Sequence, residues 1–331
     1  MDNNGGITSP FTNKADVSLT AAVVMATYNG SQFIEEQLES IRRQSRPAER
    51  VIIRDDGSTD GTQSIVRAYI LRHKLANWDF KENETNKGFT LNFLDAALEA
   101  SEHVVFFSDQ DDVWLEEKIE HAMDLFVEHE GCTAVLCGAS IIDEHGTRAD
   151  TLQTILRRKN SHTGRINLAT QVSSMVASGH TLCVKRDFLE GVAPIIRSEG
   201  MTYDSPIGVL AAASGGLYRT GTVDVLHRVH SNNTSAPVFG IRQRLNNRLR
   251  HLAGRRFQLE VLEKCRNQVK MHCNDRILAQ YDSEIDARRL SLYALENGQI
   301  LPIISSILRA SPMKNMSLEL MNLAIALIGK D

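Results

Sequence analysis

The chain contains 331 residues, of which 42% are hydrophobic and 24% are charged, and its formal net charge is −4. A chain of this length and ordinary composition can bury a full core, which predicts one large domain with a smaller addition. The slightly acidic balance argues against a nucleic-acid-binding protein, and the five scattered cysteines, with no Cys-x-x-Cys pair, indicate neither a zinc site nor a disulfide framework.

The N-terminal part of the chain predicts a parallel sheet covered by helices. Residues 1–18 are polar and lack the basic and apolar regions of a signal peptide, so we expect a disordered leader. Residues 21–26 and 51–53 are apolar runs typical of buried strands, and each is followed by a turn and an apolar-patterned helix. Ser31 is positioned to cap the first helix. Strand–turn–helix units with short connections are typical of α/β proteins.

The second strand ends in an acidic turn that contains Asp55, Asp56 and Gly57. A carboxylate at this position can accept hydrogen bonds from a nucleobase N–H or from a ribose hydroxyl. The alternative is an ordinary tight turn, for which the same residues are also suited. The polar loop at residues 86–90, which opens a further helix, has the same two interpretations: a ligand contact or a plain capped loop.

The most acidic strand end follows the apolar run 104–107, where Asp109, Asp111 and Asp112 occur within four positions. In a parallel sheet the carboxyl ends of the strands border the ligand crevice. Three carboxylates there predict a bound cation, and oxygen ligands suit Mg²⁺ or Mn²⁺ with phosphate oxygens completing the shell. The alternative is a group of helix-capping acids, and Asp112 is the residue we expect to be the cap.

Four motifs in this order resemble the nucleotide-binding half of family 2 glycosyltransferases, over roughly residues 20–235. They are Thr27-Tyr28-Asn29-Gly30, Asp55-Asp56-Gly57-Ser58-Thr59-Asp60, Asn86-Lys87-Gly88-Phe89 and Ser108-Asp109-Gln110-Asp111-Asp112-Val113-Trp114. The last motif is similar to the rhamnosyltransferase-like branch that builds bacterial surface polysaccharides. The resemblance implies a GT-A fold, which is an α/β fold with a mixed, mainly parallel sheet flanked by helices, and an inverting reaction on a nucleotide-sugar.

The resemblance also implies roles for particular residues. Asp111 and Asp109 would bind the metal, Mg²⁺ or Mn²⁺, and Asp109 could instead contact the ribose. Asp55 or Asp56 would meet the base. The complete set of expected nucleotide-binding residues is Thr27, Tyr28, Asn29, Asp55, Asp56, Lys87, Gly88 and Asp109.

The segment 201–206 precedes an apolar, alanine-rich helix, which we expect to begin with Ser205 as N-cap and Pro206 as first residue. Asp204 would then stand free just before the helix. In the resembled family the general base is an acidic residue at such a junction, so Asp204 is the expected base, with a second capping acid as the alternative. The family often has aromatic residues after this aspartate, and Ser205 and Pro206 replace them here, which leaves the acceptor contacts open.

Further candidate residues lie in two other segments. Residues 178–184 predict a strand whose His180 borders the crevice, although a structural histidine is equally consistent with this pattern. Residues 226–233 resemble an Arg-x-His segment of the same branch, in which Arg228 and His230 contact the diphosphate, or His230 the metal; the alternative is a polar loop. Arg228, His180 and Trp114 are therefore the candidates for diphosphate or acceptor contacts.

After residue 236 the chain predicts helices only. Residues 241–256 are rich in arginine with interleaved leucine, which indicates a basic amphipathic helix that binds a membrane surface, packs with a solvated face, or forms a dimer. Two apolar segments follow, at 301–308 and 318–328. We expect a leader at 1–18, a GT-A domain at 19–236 and a helical extension at 237–331.

Together these patterns predict an inverting, metal-dependent glycosyltransferase in surface polysaccharide synthesis. The expected donor is a dTDP- or UDP-sugar, dTDP-L-rhamnose first, and the acceptor a saccharide or a lipid-linked sugar. No stretch is apolar for long enough to span a bilayer, so we expect a cytoplasmic protein, in peripheral contact with the inner membrane face or dimeric. The rival functions are a nucleotidyltransferase, for which the basic triphosphate loop is missing, and a non-catalytic scaffold, which would have lost Asp109, Asp111 or Asp204.

Overall fold

The computed structural model describes residues 18–149, 162–231, 233, 248–299, 303, 304, 320 and 322. The strands in these ranges are β1 (Ala21–Thr27), β2 (Arg50–Asp55), β3 (Trp78–Glu82), β4 (Val104–Ser108), β5 (Val113–Trp114), β6 (Ala134–Ile142), β7 (Gly164–Arg165), β8 (Leu182–Lys185) and β9 (Leu217–Arg228). The helices are α1 (Ile34–Arg42), α2 (Thr62–His73), α3 (Phe89–Leu98), α4 (Lys118–Glu128), α5 (Leu168–Ser174), α6 (Arg186–Glu199), α7 (Asp204–Ala213), α8 (Arg248–His272) and α9 (Asp275–Glu296).

All these strands belong to one mixed sheet, with the order β3-β2-β1-β4-β8-β6-β9-β5 and β7 paired to β9. Strands β1 to β4 run parallel, as do β6 and β9, whereas β8 runs antiparallel to β4 and β6. Thr27 at the end of β1 lies opposite Asp55, and Met25 lies opposite Ser108 at the end of β4. The predicted mixed sheet flanked by helices is confirmed, and its register places the acidic turns after β2 and β4 at the same edge.

The core occupies both faces of the sheet. Along β1, Ala22 and Val24 pack into one apolar cluster, and Val23 and Met25 pack into the cluster on the opposite face. Every β1 side chain from Ala21 to Met25 is fully buried. This double burial explains the continuous apolar run, because a strand covered by helices on both faces has no polar side.

Several local predictions are wrong, because the chain satisfies its backbone groups in other ways. Ser31 does not cap the first helix: α1 begins at Ile34 without a side-chain cap, and the Ser31 N–H donates a hydrogen bond to Asp60. Helix α7 begins at Asp204, so Ser205 and Pro206 lie inside its first turn. The predicted strand at 178–184 starts with a short 3₁₀ turn, Gly179–Thr181, and only then becomes β8.

The C-terminal region forms a hairpin of two long helices, and α8 packs against both α9 and α7. Three predicted features lie outside the described residues: the domain boundary at 236, residues 241–247 of the basic segment and most of both apolar segments after residue 300. Of the predicted basic segment, Arg255 is buried and Arg256 pairs with Glu296 at 2.6 Å, so these two arginines do not form a free basic face. No helix in the described ranges is both long and apolar enough to cross a membrane.

Candidate active site

A cleft of about 1140 Å³ opens at the carboxyl ends of β1, β2 and β4. Its walls combine segments that lie far apart in the sequence. They include residues 26–30, Asp56, Asn86, Gly88, Phe89, residues 109–111, residues 178–180, residues 202–205, His227, His230, Asn233 and Phe257.

The structure separates the two aspartates of the first acidic turn. The Asp55 carboxylate is fully buried and accepts hydrogen bonds from Thr27 Oγ1 (2.8 Å), the Ser58 N–H (2.8 Å) and Gln63 Nε2 (2.8 Å). Burial alone would raise the pKa of Asp55, but these hydrogen bonds outweigh it and lower the pKa. Asp55 therefore stays ionised and braces the turn, whereas Asp56, which is also buried at 3% exposed, borders the cleft.

Asp56 organises the loop that contains Lys87 and Gly88. Its carboxylate accepts the backbone N–H groups of Lys87 and Gly88, each at 2.9 Å, and an amide N–H of Asn83 at 2.8 Å. Gly88 has φ of +79°, a conformation that favours glycine. The Lys87 ammonium pairs with Asp95 at 2.9 Å, and the Lys87 side chain does not line the cleft. The contribution of Lys87 in this structure is thus its main chain.

The loop after β1 is held by the two acidic turns together. Four successive backbone N–H groups of this loop donate hydrogen bonds to side-chain oxygens, each at 2.9 Å: Tyr28 to Gln110 Oε1, Asn29 to Ser58 Oγ, Gly30 to Thr62 Oγ1 and Ser31 to Asp60. Gln110 also donates to the Tyr28 carbonyl at 3.0 Å. A Cβ on Gly30 would overlap the Gln110 amide, which explains the glycine. Gln110 is a site residue that the sequence analysis missed.

Asp109 and Asp111 lie partly exposed at the end of β4 and face the cleft. Burial, followed by the charges of Asp112 and Asp111, raises the pKa of Asp109 to about 8. Burial and the charge of Asp112 also raise the pKa of Asp111, although its contact with His230 opposes this. The Asp111 carboxylate lies 2.9 Å from His230 Nε2. The structure thus brings two of the three residues predicted to bind metal, Asp111 and His230, into contact, and Asp109 borders the same cleft.

The donor chemistry of these three side chains suits a divalent cation. Two carboxylates whose ionisation is opposed by burial and by neighbouring acids are stabilised by a positive charge between them. Their oxygens suit Mg²⁺ or Mn²⁺, and the imidazole nitrogen of His230 favours Mn²⁺ of the two. The donor set therefore agrees with the predicted metal.

Asp112 is not a helix cap, which corrects the prediction. It is fully buried, and its Oδ1 accepts the N–H of Arg228 at 3.0 Å and lies 2.9 Å from His227 Nδ1. Burial alone would lower the pKa of His227, but the Asp112 hydrogen bond and the surrounding aspartates raise it to about 9. Burial, with the charge of His227, lowers the pKa of His180 to about 3.

Asp112, His180 and His227 bring three donor atoms within 4.8 Å of one another. However, the two imidazole rings stack with centroids 4.2 Å apart and planes inclined by 11°. Imidazole lone pairs lie in the ring plane, so two stacked rings direct their lone pairs along nearly parallel planes and not toward one common point. The stacked pair, as arranged, therefore does not form a metal site.

Asp204 reaches the cleft from the first turn of α7 and is partly exposed. Its Oδ1 accepts the Ser205 N–H at 2.7 Å and the Thr202 hydroxyl at 3.1 Å. Burial raises the pKa of Asp204, and these hydrogen bonds offset only part of the rise. The preceding residue, Tyr203, stacks on Phe107 of β4 at 4.6 Å and so fixes this helix start to the central strand.

The structure does not place Arg228 or Trp114 in the cleft, which corrects the expectation of a diphosphate or acceptor contact. The Arg228 guanidinium is buried, pairs with Glu36 at 2.6 Å and donates to the Asp111 carbonyl at 2.9 Å. Trp114 is 2% exposed, and the Lys118 ammonium lies 3.5 Å from its ring centroid. Neither side chain borders the cleft, and Arg228 holds the acidic loop through the Asp111 carbonyl.

Comparisons with known proteins identify this arrangement. The family model for glycosyl transferase family 2 matches residues 22–192. The dTDP-rhamnosyl transferase RfbG of Shigella flexneri is 39% identical over 107 residues, which are 31% of this chain and 37% of RfbG. The first curated relatives are matched over half of their length or less.

Two solved structures share the fold at 17% sequence identity. TarS of S. aureus superposes with a TM-score of 0.55, covering 87% of this chain and 80% of that chain. The mannosyltransferase PcManGT from Pyrobaculum calidifontis, in complex with GDP-Man and Mn²⁺, superposes with a TM-score of 0.54, covering 93% and 86%. These likenesses confirm the predicted GT-A fold.

Proposed function

Because the chain belongs to glycosyl transferase family 2, we propose that it is an inverting, metal-dependent glycosyltransferase that uses a nucleotide-sugar donor. One observation carries this proposal: a single cleft combines Asp56, the Asp109–Asp111 pair and Asp204. A donor site needs hydrogen-bond acceptors for the nucleoside and counter-charge for the diphosphate, and the transfer needs a base nearby. The cleft offers all three.

The nucleoside half of the donor binds between the loop after β1 and Asp56. Tyr28 is 52% exposed in this wall and offers an aromatic face to a base. The Asp56 carboxylate and the backbone of the loop offer hydrogen-bonding groups to the base and ribose. The name of RfbG supports dTDP-L-rhamnose as the first donor to test. TarS has been solved in complex with UDP-GlcNAc, which makes UDP-sugars the next.

Asp109, Asp111 and His230 would hold Mn²⁺ or Mg²⁺ beside the donor diphosphate. The bound ion supplies a Lewis acid that stabilises negative charge on the departing nucleoside diphosphate. The Arg228 guanidinium donates to the Asp111 carbonyl and so holds the loop that presents these side chains. Asp112 fixes the backbone of Arg228 next to the same loop.

Asp204 is the general base in this proposal. The acceptor hydroxyl transfers its proton to an Asp204 carboxylate oxygen while its own oxygen bonds to the anomeric carbon. The bond from that carbon to the diphosphate oxygen breaks on the opposite face, and its electron pair leaves with the nucleoside diphosphate. A raised pKa makes Asp204 a stronger proton acceptor, and its contacts with Ser205 and Thr202 fix its orientation.

The acceptor in this proposal is a saccharide or lipid-linked sugar of a surface polysaccharide. A cytoplasmic location, contact of the C-terminal region with the inner membrane face and formation of a homodimer remain predictions.

The experiment that tests the donor site is calorimetric titration of dTDP, UDP and GDP with and without Mn²⁺. We expect one nucleotide to bind with Mn²⁺ present and Asp111→Ala to abolish the metal-dependent part of the affinity. The matched control is Asp187→Ala, which removes a carboxylate that is 88% exposed on α6, outside the cleft. Absence of binding for every nucleotide and metal would overturn the transferase proposal.

A further inference from the structure

Exposed aromatic rings are concentrated in the cleft. Among the described residues, the exposed Phe, Tyr and Trp side chains are Tyr28 (52%), Phe89 (50%), Phe257 (36%) and Tyr293 (54%), and the first three line the cleft. Large aromatic surface left open to water is unfavourable, and its concentration in one concave site marks a ligand surface. The nucleoside accounts for Tyr28 in the proposed function, and Phe257 has no such role.

Phe257 comes from outside the segment that matches the family. It lies on α8, whereas the match ends at residue 192. Helix α8 packs against α7, and the first residue of α7 is Asp204. Phe257 and the proposed base Asp204 therefore belong to two packed helices that both border the cleft.

A buried ion pair fixes the segment that carries Phe257. Arg288 and Glu284 of α9 are almost fully buried and pair at 2.8 Å. The Arg288 guanidinium also donates to the Val172 carbonyl of α5 at 2.7 Å and to the side chain of Gln258 at 3.2 Å. Gln258 directly follows Phe257, so this network connects the α8–α9 hairpin, the cleft residue and the sheet domain. The hairpin is thus a fixed wall of the cleft.

From these contacts we infer that Phe257 is an acceptor-binding residue, and that the α8–α9 hairpin forms the acceptor wall. The inference rests on the proposed function and adds the acceptor chemistry. One face of a pyranose ring presents C–H groups and packs on an aromatic ring, while its hydroxyls remain available to polar groups such as Ser178, Thr202 and Asp204. Phe257 therefore selects an acceptor whose terminal unit is a sugar ring rather than an acyclic polyol.

The test measures two affinities on each variant. The first is the dissociation constant of the nucleoside diphosphate that binds the wild-type protein. The second is the dissociation constant of a methyl hexopyranoside, measured by saturation-transfer NMR with that nucleotide and Mn²⁺ present. Sorbitol is titrated in the same way as an acyclic comparison. The variants are Phe257→Ala, Phe257→Trp and the control Tyr293→Ala, which removes an exposed aromatic ring of the same hairpin outside the cleft.

We expect Phe257→Ala to weaken pyranoside binding about tenfold, the effect of burying roughly 50 Å² of apolar surface. Phe257→Trp should restore binding, Tyr293→Ala should leave it unchanged, and nucleotide affinity should not change in any variant. Three results would overturn the inference. Phe257→Ala could bind the pyranoside as well as wild type does, wild type could bind sorbitol as well as the pyranoside, or wild type could fail to bind the pyranoside. Weaker nucleotide binding by Phe257→Ala would instead assign this wall to the donor. Failure of wild type to bind any nucleotide would refute the proposed function itself.

Discussion

Gln110 connects the loop after β1 to the acidic loop after β4, and its removal gives the sharpest test of how the donor site is built. The Gln110 amide makes two hydrogen bonds to the main chain of Tyr28, at 2.9 and 3.0 Å. Each is worth about 0.5–1.5 kcal/mol net, and both lie where solvent reaches them, so we take about 1–2 kcal/mol for the pair. This free energy positions Tyr28 for the nucleoside.

Gln110→Ala should therefore weaken binding of the nucleoside diphosphate by about 5- to 30-fold, since about 1.4 kcal/mol corresponds to a factor of ten. Gln110 also stands between Asp109 and Asp111, so the affinity gained on adding Mn²⁺ should fall in the variant. Calorimetric titration with and without Mn²⁺ measures both effects. Gln299→Ala, an exposed glutamine beyond α9, is the matched control.

Gly30→Ala provides an independent perturbation of the same contact, because the added Cβ would overlap the Gln110 amide and displace it. The two substitutions remove one interaction, so the double variant should be no weaker than the weaker single variant. Wild-type affinity and metal dependence in Gln110→Ala would refute the reasoning. Fully additive effects would show that Gly30 acts through another contact.

Three further predictions concern the base, the metal and the hairpin. Asp204→Asn should reduce turnover by about 10²- to 10⁴-fold while nucleotide affinity stays near wild type. Release of the nucleoside diphosphate measures turnover, and calorimetric titration measures affinity. Retained turnover would exclude Asp204 as the base. The pKa of Asp109 is raised to about 8, so below that pH a proton competes with the metal for this carboxylate, and Mn²⁺ affinity should rise with pH to about 8 and then level. Titrations in buffers of different ionisation enthalpy should detect the proton released on binding. A pH-independent affinity without proton release would contradict this prediction. Arg288→Met removes the buried donors to the Val172 carbonyl and the Gln258 side chain and should destabilise the protein by about 1–3 kcal/mol in urea unfolding. An unchanged midpoint would show that the hairpin is not fastened there.

The sequence predicted the parts of the site that lie where strands end. Apolar runs identify β1, β2 and β4, and parallel pairing brings the residues after them to one edge, so Thr27, Asp56 and Asp109 could be predicted to meet. The choice between Asp55 and Asp56 could not be made, because the folded protein buries both and only their partners decide which one borders the cleft. Thr27 and Gln63 enclose Asp55, and neither contact has a local sequence signal.

The roles of Arg228 and Trp114 were beyond the sequence for a different reason. Arg228 pairs with Glu36, which is 192 positions away, and that contact depends on where β9 and α1 meet in the folded protein. A motif shows that a residue belongs to the site, but it does not distinguish a side chain that faces the ligand from one that supports the loop behind it. Similarly, the strands β3 and β7 show no strong pattern of apolar residues, and they could not be predicted from the sequence.

The origin of the cleft walls explains why donor chemistry was easier to predict than acceptor chemistry. The nucleoside and metal side is formed mainly by residues between 26 and 111, a segment with ordered motifs, and His230 joins it at Asp111. The opposite side draws Asp204 from α7 and Phe257 from α8. The residue after Phe257, Gln258, is bonded by Arg288, thirty residues further along. Since such a wall is assembled from distant segments, its sequence can change without changing the donor motifs. The acceptor should therefore follow the C-terminal hairpin, and the donor the strand ends.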